Sequence, residues 1–121
     1  MPNLRDITDQ PLIRVWDGVA ARTVEGERIT LAVVELDPDA HVPEHRHSNE
    51  QMGMVIRGTV NFRIGTETRT FGPGGTWRIL ANEPHEVSVG PEGAQLLDIF
   101  SPIREDWHQL PILPPRPPRW P

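Results

Sequence analysis

Short apolar segments separated by turn residues are the feature that most constrains the fold of this chain of 121 residues. No window of helical length keeps a 3.6-residue period. Val60, Phe62 and Ile64 instead alternate with polar neighbours, and Met52 and Met54 do the same, as in half-buried strands. The apolar segments cover residues 12–16, 28–36, 52–57, 59–64, 76–81, 86–89 and 94–101. Many short strands between turns predict an all-β fold, a sandwich or a barrel.

Charge and composition exclude several classes of partner. The net charge of −5 argues against nucleic acid and against an anionic membrane surface. It does not exclude a small anionic molecule, because a metal sets the field in its own site. The chain has no cysteine, so disulfides and thiolate metal sites are absent. We find no signal-peptide pattern and no apolar run of membrane-spanning length, so we expect a cytoplasmic protein.

The C-terminal segment differs from the rest of the chain. We expect residues 1–110 to form a single barrel domain with an N-terminal arm, and residues 111–121 to form an extended tail. The tail is rich in proline, which gives no donor to a sheet ladder, so it should be polyproline-like. It is either a loose or surface-packed terminus or an arm that covers a partner subunit, anchored by Trp107 or Trp120.

Three histidines and a glutamine form a candidate site for a divalent metal. His45 and His47 are two residues apart, so on a strand they would share a face. Gln51 follows a short polar turn and can point back to the same space, while a later turn presents His85. Imidazole suits several transition metals, and four protein ligands leave open positions if the metal takes five or six. The remaining histidines are expected to be structural or solvated: His41 and His108.

The segment that contains the first three ligands resembles the first motif of the cupin superfamily, a family of conserved β-barrels. That motif runs glycine, five residues, His-x-His, three or four residues, glutamate, six residues, glycine. This chain keeps the spacing with His45, His47 and Gly58. Asp39 replaces the first glycine, and Gln51 replaces the glutamate.

The second motif of the same family runs glycine, five residues, Pro-x-Gly, two residues, histidine, three residues, asparagine. Here Gly74 and His85 keep their places, whereas Leu80, Asn82 and Val89 replace the proline, the second glycine and the asparagine. Asparagine and aspartate tolerate turn conformations, so the changes at glycine positions should cost little. The resemblance spans roughly residues 28–101 and implies a jelly-roll barrel.

A second group of residues lies near the end of the barrel. Asp98 stands in an apolar strand and shares a face with Phe100. If that face is the interior, Asp98 is a general acid or base with a raised pKa; otherwise it points outward or pairs with Arg104. Together with Gln51, this pattern resembles the small cupins of pectin degradation, the KdgF type, which open 4,5-unsaturated uronates. The resemblance implies that Asp98 is the acid or base, Phe100 a packing wall and Arg104 a carboxylate clamp.

The favoured function is therefore that of a metal-dependent enzyme acting on a small anionic polyhydroxylated substrate, such as a 4,5-unsaturated uronate. It would open the ring or tautomerise the product without redox change at the metal. A metal-dependent dioxygenase and a non-catalytic ligand-binding protein stay open as alternatives. Nickel, iron, manganese, zinc, cobalt and copper all fit the ligands. The resemblance also implies a homodimer.

Overall fold

The computed structural model describes residues 2–120, and its regular structure is almost entirely antiparallel β-sheet. In chain order its elements are a 3₁₀ helix (Ile7–Asp9), β1 (Ile13–Trp16), β2 (Val19–Glu25), β3 (Thr30–Leu36), β4 (His41–His45), β5 (Glu50–Ile64), β6 (Glu67–Phe71), β7 (Thr76–Ile79), β8 (His85–Ser101) and a second 3₁₀ helix (Glu105–Gln109). No helix in this part of the chain is long and apolar enough to cross a membrane. The all-β expectation is confirmed.

Two long strands, β5 and β8, hold the barrel together because each contributes to both of its faces. Residues 85–89 of β8 pair with β4 and with residues 60–64 of β5. Residues 94–101 of β8 lie between β3 and residues 50–58 of β5. The strands β1 and β2 extend the sheet beyond β3, while β6 and β7 pair with the two halves of β5. The two faces enclose one apolar core, as in a jelly-roll barrel.

The prediction of separate strands over 52–57 and 59–64 was wrong, as was that over 86–89 and 94–101. Each pair is one continuous strand, of 15 residues in β5 and 17 in β8. Shifts in register on either side of Gly58 let β5 bend without ending. Gly58 has φ 84°, and a Cβ there would lie 2.8 Å from the Cα of Ala94, so only glycine fits this close crossing.

Three strands were not predicted from the sequence: β2, β4 and β6. Four of the five residues of β6 are exposed, so that edge strand carries no apolar alternation. The strand β4 is interrupted in sequence by Pro43 and is mostly polar. In β2 the buried side chains include Arg22. Its charge is compensated by Glu35 on β3, a pairing that the sequence pattern does not reveal.

The methionine alternation in β5 identifies a strand but not its buried face. The side chains of Met52 and Met54 are 52% and 40% exposed, and they point away from the core. Their neighbours Gln51 and Val55 are buried inside. In the second half of the strand, by contrast, Val60 and the residues that alternate with it do face the core, as predicted. Ile99, opposite Met52 on β8, is also exposed, so this outer surface is apolar.

The proline-rich tail packs against its own chain as an extended segment. The N–H of Arg14 donates to the carbonyl of Pro111 at 2.9 Å, and the N–H of Leu113 donates to the carbonyl of Leu12 at 2.8 Å. Ile112 forms a bridge with Ile13 of β1. The tail is therefore surface-packed along the edge strand.

Trp107 cannot be the anchor of an arm that reaches a partner subunit. It lies in the second 3₁₀ helix, is buried, and packs edge-on against Phe100 inside the same barrel. Trp120 lies in the tail and is 36% exposed. A single chain does not test the expected homodimer, which stays a prediction.

Glu35 on β3 holds the tail through a buried cluster of charges. Its carboxylate contacts Nη1 of Arg22 at 3.1 Å and Nη2 of Arg116 at 2.9 Å, and it accepts a hydrogen bond from the N–H of Arg119 at 2.9 Å. Burial alone would raise the pKa of Glu35, but the bonds from Arg119 and Arg116 and the charge of Arg22 hold it below the usual 4.5. The carboxylate therefore stays ionised in the folded protein.

We expect Glu35→Gln to lower the free energy of unfolding by about 3–5 kcal/mol, because it leaves the buried charge of Arg22 without compensation. Asp37→Asn is the matched control. Asp37 and its partner Arg119 are both partly exposed to solvent, so the loss should be below about 1 kcal/mol. Urea unfolding at neutral pH measures both.

The same cluster predicts a pH dependence. Because the folded pKa of Glu35 is lowered, its stabilisation is present above the unfolded value of 4.5 and is lost as the pH falls through the folded pKa. Equal unfolding free energies for the Glu35→Gln and Asp37→Asn proteins, with the same acid dependence, would contradict a role of Glu35 in holding the tail.

Candidate metal centre and its cavity

Three imidazoles meet at one end of the barrel. His45 ends β4 and His85 begins β8, and the two residues are direct partners across those strands. His47 lies beyond the end of β4, so the expectation that it shares a strand face with His45 was wrong in its local geometry. The loop nevertheless turns His47 back to the others. One ring nitrogen from each histidine lies within 4.8 Å of the other two.

Backbone carbonyls fix the tautomer of all three rings. Nδ1 lies 2.8 Å from the carbonyl oxygen of Pro43 in His45, 3.0 Å from that of Asn49 in His47, and 2.8 Å from that of Glu83 in His85. A carbonyl oxygen only accepts, so each Nδ1 donates its hydrogen. Each Nε2 is then left with a lone pair, which is the arrangement found in metal-binding histidines.

Burial keeps these imidazoles neutral. It lowers the pKa of His45 and of His47, and the charge of Arg104 lowers both further. The effect is largest at His85, where burial brings the pKa to about 4. Neutral imidazole is the form that binds metal.

Gln51 completes the donor set. It begins the inner face of β5, and its Oε1 lies 3.1 Å from Nε2 of His47. Both atoms are acceptors, so this approach is unfavourable unless a cation lies between them. Nε2 of His85 is buried without a hydrogen-bond partner among the described residues. A divalent metal satisfies both observations, so the residues fit the predicted site.

The turns that carry the ligands are tied to one another. Asn82 has φ 63°, a left-handed conformation that Asn tolerates where the family pattern has glycine, and Asp39 likewise has φ 59°. The N–H of Asn82 donates to the carbonyl of His47 at 2.8 Å. The side chain of Asn49 donates to the carbonyl of Pro102 at 2.7 Å. Sequence reasoning missed Asn49, although it lies inside the first motif.

A cavity of about 190 Å³ opens beside the imidazoles. Its walls include apolar side chains of several strands, and Asp98, Phe100 and Arg104 line it together with His45 and His85. Gln51 also lines this cavity, and His47 adjoins it through its contacts with His85 and Phe100. The roles of those residues stay predictions.

Asp98 faces the interior and is held by two donors. Nε2 of Gln51 donates to its Oδ1 at 2.8 Å, and Nε1 of Trp77 donates to the same oxygen at 2.7 Å. Among residues 2–120 both hydrogen bonds to this carboxyl end on Oδ1, so Oδ2 accepts none from this part of the chain. Burial raises the pKa of Asp98 to about 6, against the lowering effect of the two hydrogen bonds and of Arg104.

Arg104 lies against two neighbouring aromatic rings that meet edge to face. Its guanidinium carbon lies 4.8 Å from the ring centre of Phe100 and 4.6 Å from that of Trp107. Nε and Nη2 donate to the carboxylate of Asp106 at 3.1 and 2.9 Å. Arg104 therefore pairs with the exposed Asp106, and the sequence alternative of a salt bridge from Arg104 to Asp98 is not formed.

The two histidines outside the predicted site are surface residues. Nε2 of His41 lies 2.8 Å from Glu86, and Nε2 of His108 lies 2.9 Å from Glu25. Both side chains are about half exposed. They accord with the expectation that they are structural or solvated.

Comparison with known proteins identifies the family to which this chain is similar. A family model described as a cupin domain matches residues 32–100. The pectin degradation protein KdgF of Dickeya dadantii (strain 3937) is 27% identical over 101 residues, which cover 82% of this chain and 92% of that protein.

Solved structures show the same fold. The structure of KdgF from Halomonas sp. superposes with a TM-score of 0.79 at 20% identity, covering 88% of this chain and 98% of that one. An RmlC-like cupin from Shewanella frigidimarina NCIMB 400 superposes with a TM-score of 0.80 at 19% identity, covering 88% and 96%.

The lone pairs around Gln51 and His85 predict that the chain binds one divalent metal ion. Because metal binds only the folded site, about a hundredfold excess over the dissociation constant should stabilise the protein by about 3 kcal/mol. His85→Ala should abolish this gain. His41→Ala, which removes a surface imidazole, should keep it. Thermal unfolding with and without cobalt, nickel or zinc measures the effect, and equal stabilisation of both variants would contradict the site.

Proposed function

This chain belongs to the cupin family, and we propose that it is a metal-dependent enzyme acting on a small anionic polyhydroxylated substrate. The proposed reaction opens or tautomerises a 4,5-unsaturated uronate without redox change at the metal. His45, His47, His85 and Gln51 would hold the ion, which supplies Lewis-acid polarisation of a substrate oxygen.

One observation carries the proposal: the buried carboxyl of Asp98 lines the same cavity as the imidazoles. A carboxylate left in an apolar barrel costs free energy unless it is paired or used. Within the described part of the chain no cation pairs directly with Asp98, and Arg104 pairs with Asp106 instead. Its Oδ1 is fixed by two donors, so Oδ2 is the atom that can take or give a proton.

A single carboxyl of this kind suits the proposed chemistry. Opening the cyclic hemiacetal requires a base to remove the hydroxyl proton while the bond from the anomeric carbon to the ring oxygen breaks. That bond pair passes to the ring oxygen and leaves an enolate. The protonated base then delivers its proton to C4, and the enolate oxygen becomes a ketone. Asp98 can serve in both steps, and no oxidant or reductant is needed.

The charges around the cavity favour an anion. The three imidazoles and the amide of Gln51 are neutral, so they leave the charge of a divalent metal uncompensated. The guanidinium of Arg104 adds a cation whose planar fork matches a carboxylate. Phe100 and Trp107 contact this guanidinium, and its fork must exchange Asp106 for a substrate or bind through the remaining nitrogen.

The name of the relative from Dickeya dadantii supports the choice of substrate class, because that protein is described as acting in pectin degradation. Pectin is a polymer of uronate, and its fragments are small polyhydroxylated acids. These are the molecules that a neutral ligand set and an arginine would favour.

We expect Asp98→Asn to lower turnover of a 4,5-unsaturated uronate by about 10²–10⁴-fold, the usual contribution of a general acid or base. Asparagine keeps the shape and an acceptor for Trp77, so metal affinity should change far less than turnover. Steady-state kinetics and metal titration of the same preparations separate the two effects. Full activity in this variant would remove the catalytic role of Asp98.

Arg104→Lys should raise the Michaelis constant more than it lowers turnover, because it removes a clamp and leaves the acid or base in place. Asp106→Asn is the matched variant, since it frees the fork of Arg104 without moving the guanidinium. Its Michaelis constant should fall. If both variants keep the wild-type value, the substrate carboxylate is bound elsewhere.

A further inference from the structure

Trp77 contacts the candidate site although no sequence motif singles it out. It lies on the inner face of β7 and is 4% exposed. Its ring stacks on Phe62 with centroids 4.8 Å apart, and its Nε1 donates to Oδ1 of Asp98 at 2.7 Å. That oxygen also accepts the amide hydrogen of Gln51 at 2.8 Å. Trp77, Asp98 and Gln51 thus form one chain of hydrogen bonds that leads to the imidazoles.

These hydrogen bonds determine which way the side-chain amide of Gln51 faces. An indole N–H can only donate, so it makes Oδ1 of Asp98 an acceptor. A second donor fits beside that oxygen, whereas the carbonyl oxygen of Gln51 would repel it. The amide nitrogen therefore faces Asp98, and Oε1 faces Nε2 of His47, on the side where a metal needs a lone pair.

Gly53 makes room for the indole. It pairs with Trp77 on β7 and with Asp98 on β8, and its missing side chain leaves the space between these two residues free. A Cβ at this position would lie 2.5 Å from Nε1 of Trp77 and would overlap Oδ1 of Asp98. Contacts this short force one of the groups to move. The hydrogen bond between Trp77 and Asp98 thus requires glycine at position 53.

We propose that Trp77 is a positioning residue that acts through Asp98 to turn the carbonyl oxygen of Gln51 toward the imidazole cluster, with Gly53 providing the space. This inference rests on the proposed metal site. It goes beyond that site because it assigns a role to two residues that touch neither metal nor substrate.

Trp77→Phe tests the proposal because it keeps a ring against Phe62 and removes the N–H. It also removes part of the buried indole, a packing change that the double variant with Gln51→Glu controls. We expect metal affinity, measured by cobalt titration, to fall about 10–100-fold, as when other partners of metal ligands are lost. Gly53→Ala should cause a similar fall by forcing the indole and the carboxylate apart. Gly26→Ala is its control, because a Cβ there meets only an ordinary contact at 3.8 Å and should leave affinity unchanged.

The Gln51→Glu background separates positioning from packing. A carboxylate has oxygen at both ends, so no amide needs to be turned. Trp77→Phe should then cause no loss of cobalt affinity. An equal loss in both backgrounds would mean that Trp77 acts through packing alone and would overturn the proposal.

A second readout needs no metal. In proton–nitrogen correlation spectra of the metal-free protein, the side-chain amide of Gln51 should shift and exchange faster with solvent after Trp77→Phe. An unchanged Gln51 amide overturns this inference whatever the metal affinity. Failure of the wild-type chain to bind cobalt would instead overturn the proposed metal site, while a shifted amide would still support the role of Trp77.

Discussion

The pairing of β5 with β8 is the constraint on which the rest of this structure depends. Both strands bend and take part in both faces of the barrel, so their register decides which side chains meet inside. Gln51 lies opposite Phe100, and Gly53 lies opposite Asp98, in the half of the pair that forms the floor of the cavity. Because side chains alternate along a strand, a shift of one residue would place Leu97 and Ile99 inside and turn Asp98 to solvent.

This register makes the site a set of dependent contacts. The backbone carbonyls orient the imidazoles, and the chain from Trp77 through Asp98 orients Gln51. In the proposed function Asp98 therefore has two tasks, since Oδ1 orients Gln51 and Oδ2 exchanges a proton with the substrate. The two tasks use different atoms, so one carboxyl can perform both.

Much of this arrangement follows from the sequence, because the ligand spacing is local. The ligand segments and the two turn positions occupied by Asp39 and Asn82 agree with the pattern of the chain, whereas that pattern left open whether Asp98 faces the interior. The buried face of the first half of β5 does not agree with the pattern. The hydrophobic side chains of Met52 and Met54 point outward, whereas the polar side chain of Gln51 faces the interior.

What the sequence could not show depends on contacts between distant residues. In the sequence Trp77 is only one more apolar residue of a short segment. The pairing of β5 with β7 and β8 brings its N–H to Asp98. The fork of Arg104 likewise meets Asp106 rather than Asp98 because of how the second 3₁₀ helix turns. The local sequence pattern predicts most of the strands, whereas the hydrogen-bond partners of polar side chains depend on the register in which those strands pair.

The most direct test of the proposed function is a proton NMR measurement on the metal-loaded wild-type protein with a 4,5-unsaturated galacturonate in deuterated water without oxygen. We expect the vinylic signal to disappear far faster than in buffer and an open-chain keto product to form with deuterium at C4. Persistence of the vinylic signal, together with stabilisation of the protein by the ligand, would contradict catalysis and indicate a binding protein. A reaction that proceeds only with oxygen would contradict the redox-neutral chemistry.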